Sequence, residues 1–249
     1  MTQWWFQTRI EILRNIRNRR FFFFSVLLPI GFYFLYVNLI GPNRVVGGVS
    51  WKSYYLISMA TFSVVGAGLN GLSSRIAFER TQGWVRLMQT TPQPPINYVT
   101  AKIIANLLVN VTEVVILFLA AAIVEHVRMP LANWIMAGAW IAFGGLTFIV
   151  LGMLIGQLAG IDAAQIVASA LYFLLSITGG LWFPVQMMGS FMSHLAQWTP
   201  TYHLARVSWS LVAGQAPSWD DFLVLAAYFV AFGLVALWAT GRRRDTRSA

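Results

Sequence analysis

The chain alternates long, uncharged apolar runs with short segments that carry its charges. A helix rises about 1.5 Å per residue, so about 20 apolar residues cross a hydrocarbon core of about 30 Å. Six runs are long enough for this. They predict an all-α integral membrane protein with transmembrane helices at residues 21–40, 53–74, 103–124, 132–158, 163–183 and 222–240.

The segment before the first span, residues 1–20, has the pattern of an amphipathic helix. Phe6, Ile10, Leu13 and Ile16 recur at helical spacing, while five arginines supply polar positions. This predicts an N-terminal helix lying in the membrane interface. A basic flank that only sets the orientation of the chain explains the same pattern, so both interpretations stay open.

The longest polar interruption, residues 75–99, separates the second and third spans. It carries charges at Glu79, Arg80 and Arg86, a glycine at 83, and prolines at 92, 94 and 95. A charged, helix-compatible piece followed by prolines predicts a short amphipathic helix between two spans. We interpret this loop as the place where the protein is driven from outside the membrane.

Residues 184–218 form a long segment that is apolar yet broken by prolines and glycines. Loops of this length are usually functional or disordered, and this one is too apolar for disorder. Thr199-Pro200 is typical of an N-cap followed by a proline at the first helical position. The pattern predicts two short helices, at about 185–196 and 200–213, that re-enter the outer leaflet.

The charge distribution predicts the orientation of the chain. Of the 17 Lys and Arg residues, 13 fall in segments on the N-terminal side of the six spans and 4 on the other side. The positive-inside rule therefore places both termini and residues 75–99 in the cytoplasm, in a multi-pass protein of the plasma membrane. Because the basic residues flank apolar spans, the net charge of +9 does not indicate nucleic-acid binding.

The composition excludes several classes of function. Only 10% of the residues are charged, against about 25% in soluble domains, so a soluble protein is excluded. There is no Cys and no GxxxxGK[ST] phosphate loop, so the chain itself is not expected to be an enzyme. Residues 1–249 form one transmembrane domain. No metal site is expected, because metal-ligand spacing is missing around the three histidines, His126, His194 and His203.

Two features within the spans are candidates for function or packing. Glu113 lies in the middle of the third span, where an acid is either a proton or cation site or a neutral, hydrogen-bonded group. The absence of a second intramembrane acid or base favours the neutral interpretation. Gly152, Gly156 and Gly160 form two overlapping GxxxG patterns, which predict close helix packing.

Two groups of motifs resemble one family of membrane proteins. Glu79-Arg80 followed by Gly83 resembles a Glu-basic-x-x-Gly coupling signature, and the continuation matches at Trp84, Thr91-Pro92, Tyr98 and Lys102. The second group comprises Gly180-Leu181-Trp182-Phe183-Pro184 and Thr199-Pro200-Thr201-Tyr202-His203. With six spans in register, the chain resembles the permease subunit of an ABC-2 type (type V) ABC exporter, in the small drug-exporter-like subgroup.

The resemblance implies a cytoplasmic coupling helix between spans 2 and 3 and an external re-entrant hairpin that includes Gly180, Phe183, Pro184 and Pro200. It implies ATPase coupling by Glu79, Arg80, Gly83, Trp84 and Arg86. Arg86 departs from the pattern, because many members carry a glutamate there.

The implied partners are a separate ABC ATPase in two copies, which binds ATP and Mg²⁺, a second permease copy in a homodimer, and membrane lipid. The chain itself would hold no cofactor. The implied cargo is a hydrophobic or amphipathic molecule, such as a drug, a lipid or a lipopeptide, that leaves the cell. One alternative is a secondary transporter or channel that uses Glu113, and another is a membrane-embedded enzyme or scaffold.

Overall fold

The computed structural model describes residues 2–41, 44–46, 48–84, 87 and 94–248. Its α-helices are α1 (Thr2–Arg17), α2 (Arg19–Ile40), α3 (Trp51–Thr81), α4 (Pro95–Val124), α5 (Leu131–Gly144), α6 (Leu146–Leu158), α7 (Ile161–Thr178), α8 (Ser190–Ala196), α9 (Pro200–Val212) and α10 (Trp219–Ser248). A 3₁₀ helix covers Val185–Met187. Two-residue strands β1 (Val45–Val46) and β2 (Val49–Ser50) pair antiparallel.

Among the described residues, six helical segments are long and apolar enough to cross a membrane. They correspond to α2, α3, α4, the pair α5–α6, α7 and α10. This confirms the prediction of an all-α membrane protein with six candidate spans. The fourth span consists of two helices, because the regular helix is interrupted at Gly145.

Helix α3 lies at the centre of the fold. Within its apolar window 89% of the residues are buried, against 11% for α10, and α3 packs against α2, α4, α6, α7 and α9. Its first turns lie in a group of stacked rings, in which the Tyr54 and Trp209 ring centroids are 4.7 Å apart. Nearly every side of α3 therefore meets protein rather than lipid.

The second span helix is longer than its predicted apolar run. Residues 53–74 were expected to cross the membrane, whereas α3 continues to Thr81. Arg75, Glu79 and Arg80 therefore lie on the last turns of α3, not on a separate helix. Their polar groups find partners on neighbouring helices, which allows the helix to continue through charged residues. The last helix also exceeds its predicted range of 222–240.

The fifth span helix is shorter than predicted. The run 163–183 was expected to be one helix, but α7 ends at Thr178. Gly180 has a φ of +80°, and the N–H of Leu181 donates to the carbonyl oxygen of Ser176 at 3.0 Å. This is the hydrogen bond of a glycine-terminated helix end, which the apolar run did not reveal.

Candidate functional site

Helix α1 turns its polar side toward the protein and its apolar side outward. Thr8 and Glu11 are buried, whereas Phe6 and Ile16 are more than 60% exposed. The indole N–H of Trp4 donates to the hydroxyl of Thr100 on α4 at 3.0 Å. The amphipathic pattern is therefore inverted relative to a helix of a soluble protein, as suits a helix whose apolar face meets lipid.

The inward side of α1 contributes to a group of ion pairs, which we call the charge cluster: Glu11, Arg14, Arg75, Glu79 and Lys102. Glu11, Glu79 and Lys102 are buried, whereas Arg14 is exposed. Lys102, on α4, is only 1% exposed. Its ammonium nitrogen lies 3.1 Å from Glu11 Oε1 and 2.9 Å from Glu79 Oε2. The acids come from two different helices, α1 and α3, so Lys102 joins three helices at one point.

Two arginines and a tyrosine complete the pairing of these acids. Arg75 donates to Glu11, and Arg14 Nη1 donates to Glu79 Oε1 at 2.9 Å. The hydroxyl of Tyr98 donates to Glu79 Oε2 at 2.6 Å. Breaking a buried ion pair by removing one partner is strongly destabilising, so the cluster fixes α1, α3 and α4 to one another.

Arg80, one of the predicted coupling residues, reaches across to the fourth span. Its guanidinium donates to the carbonyl oxygens of Gln157 and Ala159, at the C-terminal end of α6. The last carbonyls of a helix lack partners within the helix and carry partial negative charge, so a cation is favourable there. Arg80 therefore links the end of α3 to the end of α6.

The remaining predicted coupling residues follow the end of α3. Gly83 has a φ of +72°, and its N–H donates to the carbonyl oxygen of Arg80 at 3.2 Å, which ends the helix. Trp84 is 46% exposed. Arg86 lies outside the described residues, as do Thr91 and Pro92. Of the described coupling candidates, Trp84 offers an exposed surface, whereas Glu79 at 3% exposure does not.

The predicted glycine seam lies between α6 and α3. A Cβ added to Gly152 would collide with the carbonyl oxygen of Gly68, and one added to Gly156 would collide with that of Ser73. Gly160 lies outside this contact, because α6 ends two residues earlier and no atom lies within 4 Å of a Cβ at that position. Two of the three predicted glycines therefore allow the close approach.

Glu113 is buried between helices. Ser63 Oγ lies 2.7 Å from Glu113 Oε2 and 3.1 Å from the carbonyl oxygen of Ser25. A hydroxyl has one proton to donate. Both contacts are satisfied together when a protonated Glu113 donates to Ser63 and Ser63 donates to Ser25. The geometry suits the neutral, hydrogen-bonded interpretation.

The segment predicted as an external hairpin contains the 3₁₀ helix, α8 and α9. Pro200 is the first residue of α9, and the Thr199 hydroxyl accepts from the N–H of Tyr202 at 3.4 Å. Pro184 immediately precedes the 3₁₀ helix, and Phe183 is exposed. The second short helix lies at its predicted position, whereas the range 185–196, predicted as one helix, is divided into the 3₁₀ helix and α8. The place of these helices in the membrane stays a prediction.

Both ring nitrogens of His203 have hydrogen-bond partners within the fold. Its ring lies 2.7 Å from Asp221 Oδ1 and 2.8 Å from the carbonyl oxygen of Gln197, which ties α9 to α10. Within the part of the chain that the structure describes, no group of three or more potential metal ligands occurs.

Sequence reasoning missed the greater part of the charge cluster. The hydropathy pattern places Arg75 in the polar interruption 75–99, and it does not identify Glu11 as a site residue. One signal was present: Thr8, Glu11 and Asn15 recur at helical spacing opposite the apolar residues of α1. A polar face that contains an acid predicts a basic partner, but periodicity alone does not show which helix supplies it.

Two comparisons with known proteins give the family. A family model described as "ABC-2 family transporter protein" matches residues 47–241. A Bacillus subtilis (strain 168) protein named "Putative transport permease YvfS" is 36% identical over 230 residues, which cover 92% of this chain and 94% of that protein. The six candidate spans and the helical fold are consistent with both comparisons. The chain belongs to the ABC-2 family of transporter proteins and is a transmembrane permease of an ABC transporter.

Proposed function

We propose that this permease forms a homodimer, pairs with two copies of a separate ABC ATPase, and exports a hydrophobic or amphipathic molecule. Family membership implies an ATPase partner. The sequence contains no phosphate loop, so ATP and Mg²⁺ would be bound by that partner. The bias of basic residues supports cytoplasmic termini and a cytoplasmic segment after α3.

The observation that carries this proposal is the charge cluster at the end of α3. The segment that leads to Trp84 leaves α3 directly after Glu79 and Arg80, and it returns to α4 shortly before Lys102. A force applied to this segment acts on α3 and α4 at once, and through Glu11 on α1. The cluster is therefore suited to move three helices together.

This geometry changes the role proposed for the coupling residues. Glu79 is buried in ion pairs, so it positions helices rather than touching the ATPase. Trp84 is exposed and is the better candidate for direct contact. Arg80 transmits the same movement to α6 through the carbonyls of Gln157 and Ala159. ATP shifts the transporter between two states only if those states bind the ATPase differently.

The alternative that uses Glu113 as a transport site has less support. Among the described residues Glu113 has no ion-pair partner, and its neighbour is the Ser63 hydroxyl. A proton or cation relay requires a succession of titratable groups, whereas the residues that hydrogen-bond Glu113 are two serines, Ser63 and Ser25. Its geometry supports a hydrogen bond that holds α3 and α4 together.

The test uses inside-out vesicles from cells that express the permease with its native membrane partners. We expect ATP to drive accumulation of a fluorescent cationic amphiphile in these vesicles, and a non-hydrolysable ATP analogue to give none. Glu79→Ala should lower the initial rate at least about tenfold, because it removes the acid that joins α3 to Arg14 of α1 and Lys102 of α4.

The matched control is Glu125→Ala, which removes the acid of the partly exposed Lys52–Glu125 pair between α3 and the end of α4. Its rate should stay within about twofold of the wild type. Size-exclusion chromatography checks that both variants fold. ATP-independent accumulation would contradict the proposal, as would equal loss in the two variants.

A further inference from the structure

A groove runs along the exposed surface between α4 and α5, the third span and the first half of the fourth. Residues 111–122 of α4 and 134–143 of α5 line it, and its volume is about 570 Å³. Its lining contains no acid, base or amide side chain. Val115 and Leu119 on α4 and Ile135 and Phe143 on α5 are between 49% and 61% exposed. The groove is therefore a feature of the outer surface of the two spans rather than of the packed core.

Small residues of α5 create the space in the groove. Gly138 lies at the contact between the helices, where an added Cβ would come within 3.2 Å of Phe118 Cε2 and 3.4 Å of Val114 Cγ1. Ala139 follows it and is exposed, so its methyl group fills little of the space beside this contact. The two helices therefore approach closely at Gly138 and leave an apolar channel between their larger side chains.

The groove has the length of one leaflet of a bilayer. From Val111 to Ala122 α4 rises about 16 Å, and from Trp134 to Phe143 α5 rises about 14 Å. Half of a hydrocarbon core of about 30 Å is about 15 Å. The groove stops where α5 stops, because the fourth span is interrupted at Gly145 and α6 packs against α3 instead. Its length therefore matches the depth that one acyl chain of a phospholipid occupies.

The other end of the groove lies beside the connection between α4 and α5, residues 125–130. Glu125, the one acid of this connection, pairs with Lys52 at 2.9 Å, so its charge is compensated. Arg128 is exposed, and among the described residues it forms no ion pair. A guanidinium group binds phosphate oxygens in a bidentate geometry. The charge at this end therefore favours an anionic, phosphate-bearing headgroup.

Trp134 indicates where the membrane interface lies along the groove. It is the fourth residue of α5, and its ring packs against Phe118 with the centroids 5.0 Å apart. Tryptophan is enriched at the level of the lipid headgroups. Arg128 precedes Trp134 by six residues, so the cation lies on the headgroup side of this level.

We propose that this groove binds one resident phospholipid with an anionic headgroup, whose acyl chain lies between α4 and α5 and whose phosphate contacts Arg128. The inference goes beyond the proposed function and takes from it only the cytoplasmic termini, which place this lipid in the outer leaflet. Contact with apolar side chains adds little selectivity, because the surrounding lipid is equally apolar. The preference for one headgroup therefore comes from Arg128, and the acyl chain fills the space beside Gly138.

The test is native mass spectrometry of the permease, purified in detergent with whatever native partners it retains. Phosphatidylglycerol and phosphatidylcholine with identical acyl chains are added separately, and the lipid-bound fraction is measured. We expect at least about threefold more phosphatidylglycerol than phosphatidylcholine to stay bound, because only phosphatidylglycerol has a net negative charge to pair with Arg128.

Two variants separate the headgroup contact from the acyl-chain contact. Arg128→Gln should abolish the preference for phosphatidylglycerol, whereas Arg44→Gln, at an exposed arginine between α2 and α3, should preserve it. Ala139→Trp should lower retention of both lipids at least about threefold, because the indole takes the space of the acyl chain. Its control is Ala227→Trp, at an exposed alanine of α10 that also lies about 12 Å from the start of its helix. Chromatography checks that each variant folds.

Equal retention of the two lipids by the unmodified protein would overturn the proposal. Equal retention of phosphatidylglycerol by Ala139→Trp and Ala227→Trp would also overturn it. If Ala139→Trp instead dissociates a dimer or releases a co-purified subunit in the same spectra, a protein covers the groove and the lipid site is wrong. Lipid retention requires no ATP, so failure of this inference is distinguishable from failure of the proposed function.

Discussion

Replacement of Lys102 by methionine tests the charge cluster most sharply. Lys102 is 1% exposed, and its ammonium lies 3.1 Å and 2.9 Å from carboxylate oxygens of Glu11 and Glu79. Methionine keeps an unbranched apolar side chain of similar length, so packing is largely retained. The variant therefore removes the positive charge and leaves two buried acids with fewer partners.

The expected loss follows from what remains in the cluster. Removing one partner of a buried pair costs about 3–5 kcal/mol. Glu11 keeps Arg75, and Glu79 keeps Arg14 and Tyr98, so we expect the low end of that range, about 3 kcal/mol. For a chain of this size 1 kcal/mol shifts the melting midpoint by about 2–4 °C, which predicts a fall of about 6–12 °C.

The assay is thermal unfolding in detergent, followed by size-exclusion chromatography. Lys52→Met is the matched control, because Lys52 is the other lysine of the sequence and its pair with Glu125 is partly exposed. We expect its midpoint to fall by no more than about 3 °C. Lys102→Met combined with Glu79→Gln should lose less than the sum of the single losses. A midpoint for Lys102→Met within about 2 °C of the wild type would refute the reasoning.

Three further changes test other contacts. Gly152→Leu should disrupt the α6–α3 contact against Gly68 and lower the midpoint in detergent by more than about 5 °C, whereas an unchanged midpoint would rule out that seam. Glu113→Gln should retain ATP-driven transport in vesicles, because an amide also donates to a hydroxyl, and loss of transport in a folded variant would favour proton chemistry. Asp221→Ala should cost about 1–3 kcal/mol in thermal unfolding by leaving His203 Nδ1 without its partner, and a loss equal to that of exposed Asp220→Ala would contradict this.

The sequence predicted the number and approximate positions of the spans, because hydrocarbon thickness sets a minimum apolar length for a helix that crosses the membrane. The sequence did not predict where the helices end, because local hydrogen bonds determine the position of a helix end. The apolar run 163–183 extends beyond Thr178, yet α7 ends there because Gly180 adopts a positive φ. Conversely, α3 passes through Arg75 and Glu79, because partners on α1 and α4 satisfy their charges.

The candidate site was predicted as a set of residues rather than as an arrangement. Motif resemblance identified Glu79 and Arg80, and an exposed loop was the natural interpretation of two charges beside a span. Glu79 is buried because Lys102 and Arg14 pair with it, and Arg14 is 65 residues away in sequence. Arg80 instead reaches carbonyl oxygens at the end of α6. Pairings over such distances follow from how helices pack, and hydropathy does not contain that information.

The most direct test of the central claim is identification and counting of what co-purifies with this permease from its native membrane. We predict a separate ABC ATPase subunit in equal amount, with ATP hydrolysis that the Lys102→Met variant uncouples from transport. A permease that purifies without any ATPase, and still moves solute in vesicles without ATP, would contradict the account.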